Sequence, residues 1–108
     1  MVYQISVEDL KARQDKGDAV VLIDVRQPWE NDTVRLADSV LIPLNELSQR
    51  TDEIPKKENA LIVVYCHHGV RSLSGAAIIE TAGIENVASL AGGIDRWSIA
   101  IDPALPRY

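Results

Sequence analysis

The sequence predicts an α/β domain with a mainly parallel sheet and helices on both faces, and three observations carry that reading. The chain has 108 residues, near the commonest length of one domain and enough for a single hydrophobic core. Its apolar residues fall in short continuous runs rather than in strict alternation, as in strands covered on both sides. Segments with helix start and stop signals separate those runs, so strands and helices alternate along the chain.

The elements follow in order. Ser6-Val7-Glu8-Asp9 reads as a helix start, with Ser6 as cap and two acids in the first turn, and the helix stops near Lys16 at Gly17. Val20-Val21-Leu22-Ile23 is a buried strand ending at Asp24, and Gln27-Pro28-Trp29-Glu30 then breaks the pattern and starts a short helix. Val40-Leu41-Ile42 is a second apolar run, closed by Pro43, after which Asn45 is expected to cap a short helix to about Arg50. Pro55 to Asn59 is a polar connection in which Lys56 and Lys57 form a solvated turn. Leu61-Ile62-Val63-Val64-Tyr65 is the strongest strand and runs into Cys66. A helix is expected from Ser72 to about Ala82, with Gly83 ending it. Val87-Ala88-Ser89-Leu90 is a further strand, Gly92-Gly93 a turn, and Ile94 to about Ile99 the last helix. From about residue 101 the chain is an irregular tail punctuated by Pro103 and Pro106.

Composition narrows the function. Hydrophobic residues make up 46% and charged residues 25%, and no apolar run approaches the roughly 20 residues of a membrane span. Met1-Val2-Tyr3-Gln4-Ile5 lacks the basic, apolar and small-residue order of a signal peptide, so a cytoplasmic location is expected. A net charge of −5 with no Lys/Arg run argues against nucleic acid as a partner. The one cysteine excludes an intramolecular disulfide.

That cysteine stands where open α/β sheets bind ligands, beyond the carboxyl end of a strand. Four residues separate Cys66 from Arg71, so the link from strand to helix must curl tightly, and Gly69 allows it. Such a curl points backbone N–H groups inward as an anion nest, and the next helix adds the positive end of its dipole. Arg71 adds a permanent charge. Together these favour thiolate, the nucleophilic form. His67 and His68 read either as a source of positive potential and substrate contact or as ordinary exposed loop residues. A metal site at Cys66, His67 and His68 is not expected, because adjacent ligands in a tight loop converge poorly and the chain holds no other Cys or His. Asp24 and Arg26 read as a salt-bridged clasp near the pocket mouth, Trp29 and Trp97 as core packing, and Gly92 and Gly93 as a turn beside the pocket.

At this point the chain resembles the rhodanese-homology family. The Cys66-to-Arg71 loop is similar to that family's active-site loop. Ile5 to Leu10, Val21 to Arg26 with Pro28-Trp29-Glu30, Ile42-Pro43-Leu44, and Leu90-Ala91-Gly92-Gly93 with Trp97 follow in matching order. The resemblance implies a five-stranded parallel sheet and a sulfurtransferase whose Cys66 becomes a persulfide, taking sulfur from a small donor such as thiosulfate and passing it to a thiol, cyanide or protein acceptor. It implies no metal or organic cofactor. It further implies that the loop backbone from His67 through Gly69 and Val70 to Ser72 binds the transferred sulfur, and that Arg71 orients the anionic donor and stabilises the loop. Arg35-Leu36-Ala37-Asp38-Ser39 departs from the His-Ile-Pro-Gly-Ala-like stretch common in the family, so no role is borrowed there. Two rivals stand beside this reading. A cysteine-dependent phosphatase or arsenate reductase would need a loop one residue longer, usually with His before the Cys, where this chain has Tyr65. A sulfur-relay or regulatory binding module would use the same loop without small-molecule turnover. The oligomeric state and the physiological donor and acceptor are not legible.

Overall fold

The computed structural model describes residues 2–108; Met1, the first residue of the segment read above for a signal peptide, lies outside them. Its strands are β1 (Tyr3–Ile5), β2 (Val20–Asp24), β3 (Val40–Leu41), β4 (Leu61–Tyr65) and β5 (Val87–Leu90). They form one sheet in the order β1-β5-β4-β2-β3, with every pairing parallel. The helices are α1 (Val7–Asp15), α2 (Pro28–Thr33), α3 (Leu44–Leu47), α4 (Arg71–Thr81) and α5 (Gly93–Ala100).

The continuous apolar runs divide their side chains by the two-residue period of a strand. Val21, Ile23, Ile62, Val64 and Val87 face one side, where they meet Leu47 of α3 and Ala76 and Ile79 of α4. Leu22, Val63, Tyr65, Ala88 and Leu90 face the other, against Val7 and Leu10 of α1 and Ile94 and Trp97 of α5. Cys66 continues the first face, at the end of the strand central to the sheet.

Several elements differ from their expected form. β1 was not legible, because only Ile5 of its three residues is buried and the strand lies on the sheet edge. Asn45 caps nothing: α3 starts at Leu44, whose N–H bonds the Val25 carbonyl at 3.0 Å, with Pro43 as the preceding residue. α3 then ends at Leu47, and a separate 3-10 turn follows at Thr51–Glu53. α4 begins at Arg71 rather than Ser72, and α5 takes in Gly93. Trp97 is a core residue, whereas Trp29 is 61% exposed.

Candidate active site

Cys66 is buried, 1% exposed, and its Sγ is surrounded by donors from the loop that follows. The Gly69 N–H donates to Sγ at 3.2 Å and the Ser72 N–H at 3.4 Å. Ser72 is the second residue of α4, so its N–H is one of the first-turn groups with no partner inside the helix. The Ser72 hydroxyl lies 3.6 Å from Sγ and is itself hydrogen-bonded, at 2.7 Å, to the buried Ser89 hydroxyl of β5.

The loop is held in this curl from outside by α5. The N–H groups of Ile94 and Asp95 donate to the carbonyls of Cys66 and His67 at 2.9 and 3.1 Å. With those carbonyls turned outward to a helix N-terminus, the loop's amides are free to face sulfur. The approach is so close that a Cβ at Gly93, whose φ is +61°, would collide with both carbonyl oxygens. Gly69, at φ +96°, sits against the backbone of Gly92 and Leu90 in the same way. Gly92 and Gly93 thus belong to the wall of the site.

Two ion pairs flank the loop. Arg26 and Asp24 are both fully buried. The Arg26 Nε and Nη2 donate to the two Asp24 oxygens at 2.8 and 2.7 Å, and Nη2 also reaches the Val34 carbonyl. Burial alone would lower the Arg26 pKa, but the bonds to Asp24 and Tyr108 outweigh it, so the guanidinium stays charged. The second pair joins Arg71 to Glu30. Arg71 Nη1 and Nη2 donate to Glu30 Oε1 and Oε2 at 2.7 and 2.8 Å. Bonds from Arg71, opposed by burial and aided by those from Tyr108 and the Gln27 N–H, hold the Glu30 carboxyl at about 2. Arg71 is therefore engaged by a carboxylate, with both terminal nitrogens committed to the loop's frame.

Sequence reasoning missed Glu30, Ser89 and Tyr108. The Tyr108 hydroxyl donates to Glu30 Oε2 at 2.6 Å and accepts from Arg26 Nη1 at 3.0 Å. Its ring lies on His67 with centroids 3.9 Å apart and planes 9° apart, and His67 stacks in turn on His68 at 3.9 Å. Burial, then repulsion from His68, lowers the His67 pKa, against the pull of Asp95 and Glu30. One donor atom each from His67, His68 and Asp95 lie within 4.8 Å of one another. They do not converge on a cation. The imidazole planes are 23° from parallel, so their in-plane lone pairs run side by side, and Asp95 is bonded by Arg107 at 2.8 and 3.2 Å. Among the described residues, no helix is long and apolar enough to cross a membrane.

A family model described as Rhodanese-like domain matches residues 6–100. The chain is similar to a sulfurtransferase of Allochromatium vinosum, 34% identical over 98 residues that cover 91% of this chain and 90% of that one. It is also similar to an adenylyltransferase and sulfurtransferase of Ogataea parapolymorpha, 36% identical over 106 residues; these cover 97% of this chain but 26% of that much longer protein. Among solved structures, a rhodanese-related protein of Thermoplasma volcanium superposes with a TM-score of 0.77 at 28% identity, covering 96% of this chain and 95% of the other.

Proposed function

Since the chain belongs to the rhodanese-like domain family, and its relatives include sulfurtransferases and a sulfur carrier, we propose that it transfers sulfane sulfur as a persulfide on Cys66. The observation that carries this is the thiol at a strand end with two backbone N–H groups, from Gly69 and Ser72, directed at Sγ. The Cys66 thiolate attacks the outer sulfur of thiosulfate, or the terminal sulfur of a thiol persulfide. A Cys66 S–S bond forms as the donor's bond to that sulfur breaks, and the electron pair leaves with sulfite or with the donor thiolate. The loop amides hold the terminal sulfur anion, a use of preorganised dipoles that needs no metal. An acceptor thiolate or cyanide then attacks that sulfur, and Cys66 leaves as thiolate.

Both Arg71 terminal nitrogens bond Glu30, which supports loop stabilisation as its main role in this reading. Binding and orienting the donor falls to the amides between His67 and Ser72, with His68 and Val70 exposed at the rim, 63% and 73% accessible. A protein acceptor is included in this reading because one relative, of which the match covers 26%, is named as both an adenylyltransferase and a sulfurtransferase. The function is assigned to a reducing, cytoplasmic setting, where a free thiol persists.

Intact mass spectrometry tests the reading. After thiosulfate, or a small thiol persulfide, the protein should gain the mass of one sulfur atom, lose it to cyanide or a reductant, and gain none as Cys66→Ser. Sulfur gain that persists in Cys66→Ser, or hydrolysis of p-nitrophenyl phosphate through Cys66 without persulfide, would overturn it.

A further inference from the structure

The tail after α5 reads as irregular, and the sulfur chemistry does not use it. Yet two consecutive tail residues address the two consecutive histidines of the Cys66 loop. Arg107 Nε and Nη2 donate to Asp95 at 2.8 and 3.2 Å, and Asp95 stands 3.6 Å from the His68 Nε2. Tyr108 lies flat on His67, completing a stack of three rings, and meets Trp29 in a T-shaped contact with centroids 5.7 Å apart. The tail is thus strapped along the outer side of the loop.

We infer that Tyr108 is a positioning residue for the Cys66 loop, its ring fixing His67 and its hydroxyl aiming the Glu30 carboxylate at Arg71; the functional consequence rests on the sulfur-transfer reading above. The ring covers the residue directly after the nucleophile, whose carbonyl is one of the two that α5 holds outward. The hydroxyl lies between a cation's N–H and a carboxylate, and one orientation satisfies both: it accepts from Arg26 and donates to Glu30. That bond adds a second donor at Glu30 Oε2 beside Arg71 Nη2, so both carboxylate oxygens are held while they grip the loop. Burial and the Glu30 carboxylate, opposed by Arg26, push the Tyr108 phenol up to about 12, so it remains a donor wherever thiolate chemistry operates. His67 and His68 then serve as the seat of the tail.

Tyr108→Phe and Tyr108→Ala separate the two functions, read by kinetics with thiosulfate as donor and cyanide as acceptor and by NMR of the full chain. The chain has two histidines, so one further variant, His68→Gln, assigns both imidazoles. Tyr108→Ala should remove the ring-current shift of the His67 protons, move the Gly69 and Ser72 amide resonances, and lower kcat by about tenfold or more, equivalent to about 1.4 kcal/mol of barrier. Tyr108→Phe should keep the His67 shift and recover part of kcat, with KM changed little. Unmoved Gly69 and Ser72 amides in a folded Tyr108→Ala, or wild-type kcat in both variants, would overturn the inference. If Tyr108→Ala does not fold, an unchanged kcat and unchanged amides in Tyr108→Phe overturn the hydroxyl's part. Absence of any persulfide on the wild-type protein would instead strike the sulfur-transfer reading, and the amide shifts would still decide whether Tyr108 positions the loop.

Discussion

Replacing Glu30 by Gln tests the frame of the site directly. The side chain is 4% exposed, and its oxygens accept four hydrogen bonds, from Arg71 Nη1 and Nη2, the Tyr108 hydroxyl and the Gln27 N–H. A carboxyl lowered from 4.5 to about 2 is linked to roughly 3 kcal/mol of folding free energy. The Arg71 partner is 36% exposed, so solvent screening brings the expectation down to about 2 kcal/mol. The folded-state pKa is depressed, so the native state takes up this proton later than the unfolded chain. The contribution is complete above the unfolded value of 4.5 and is lost as pH falls toward about 2. Urea unfolding at pH 7 should place Glu30→Gln about 2 kcal/mol below wild type, with an unchanged m-value. Repeated down to pH 3, the gap should narrow through that window, because wild type loses what the variant never had. A gap that stays constant with pH, or one under about 0.5 kcal/mol at pH 7, would refute the charge-based account of the clasp.

Two further substitutions probe the loop's supports. Gly93→Ala places a Cβ against the Cys66 and His67 carbonyls at a φ of +61°. It should cost about 2–4 kcal/mol in thermal or urea unfolding and abolish persulfide formation by mass; a wild-type Tm with full sulfur gain would contradict the close approach. Ser89→Ala removes the bond to the Ser72 hydroxyl and should cost about 1 kcal/mol. It should also slow stopped-flow persulfide formation severalfold, while unaltered kinetics would show that Ser72 needs no such support.

The parts of this molecule that are legible in sequence are those written by local pattern. β2 and β4 declare themselves as unbroken apolar runs because helices cover both faces, and the spacing from Cys66 to Arg71 reports a tight loop at a strand end. β1 escapes because a three-residue edge strand with one buried side chain has no periodicity to read. Asn45 misled because a good capping residue competes with a rigid Pro43 two positions earlier. Trp29 looked like core, but its helix carries the inward position at Glu30, and the indole is left outside. Arg71 reads in sequence as both orienting an anionic donor and stabilising the loop, and the carboxylate that engages it is not legible because Glu30 lies 41 residues away. Tyr108 meets Glu30 and Arg26 across separations of 78 and 82 residues, which no window on the sequence spans. The available hint was an aromatic with a neighbouring Arg107 in an otherwise featureless tail.

The paired state of Arg71 also bears on the proposed sulfur transfer at Cys66. A guanidinium left free beside Sγ would bind thiolate strongly, but a thiolate stabilised that far is a poorer nucleophile, since nucleophilicity falls as basicity falls. It would also bind the persulfide anion strongly and slow its release to an acceptor. Here Glu30 and Asp24 each take up an arginine charge, and sulfur receives neutral N–H donors instead. Dipoles of this kind stabilise a large, polarisable anion moderately and act alike on the thiolate and on the persulfide's terminal sulfur. A carrier must hold its cargo and give it up in the same loop. For the proposed sulfur transfer, a site whose arginines build the frame while backbone N–H groups face Sγ would meet both demands with one geometry.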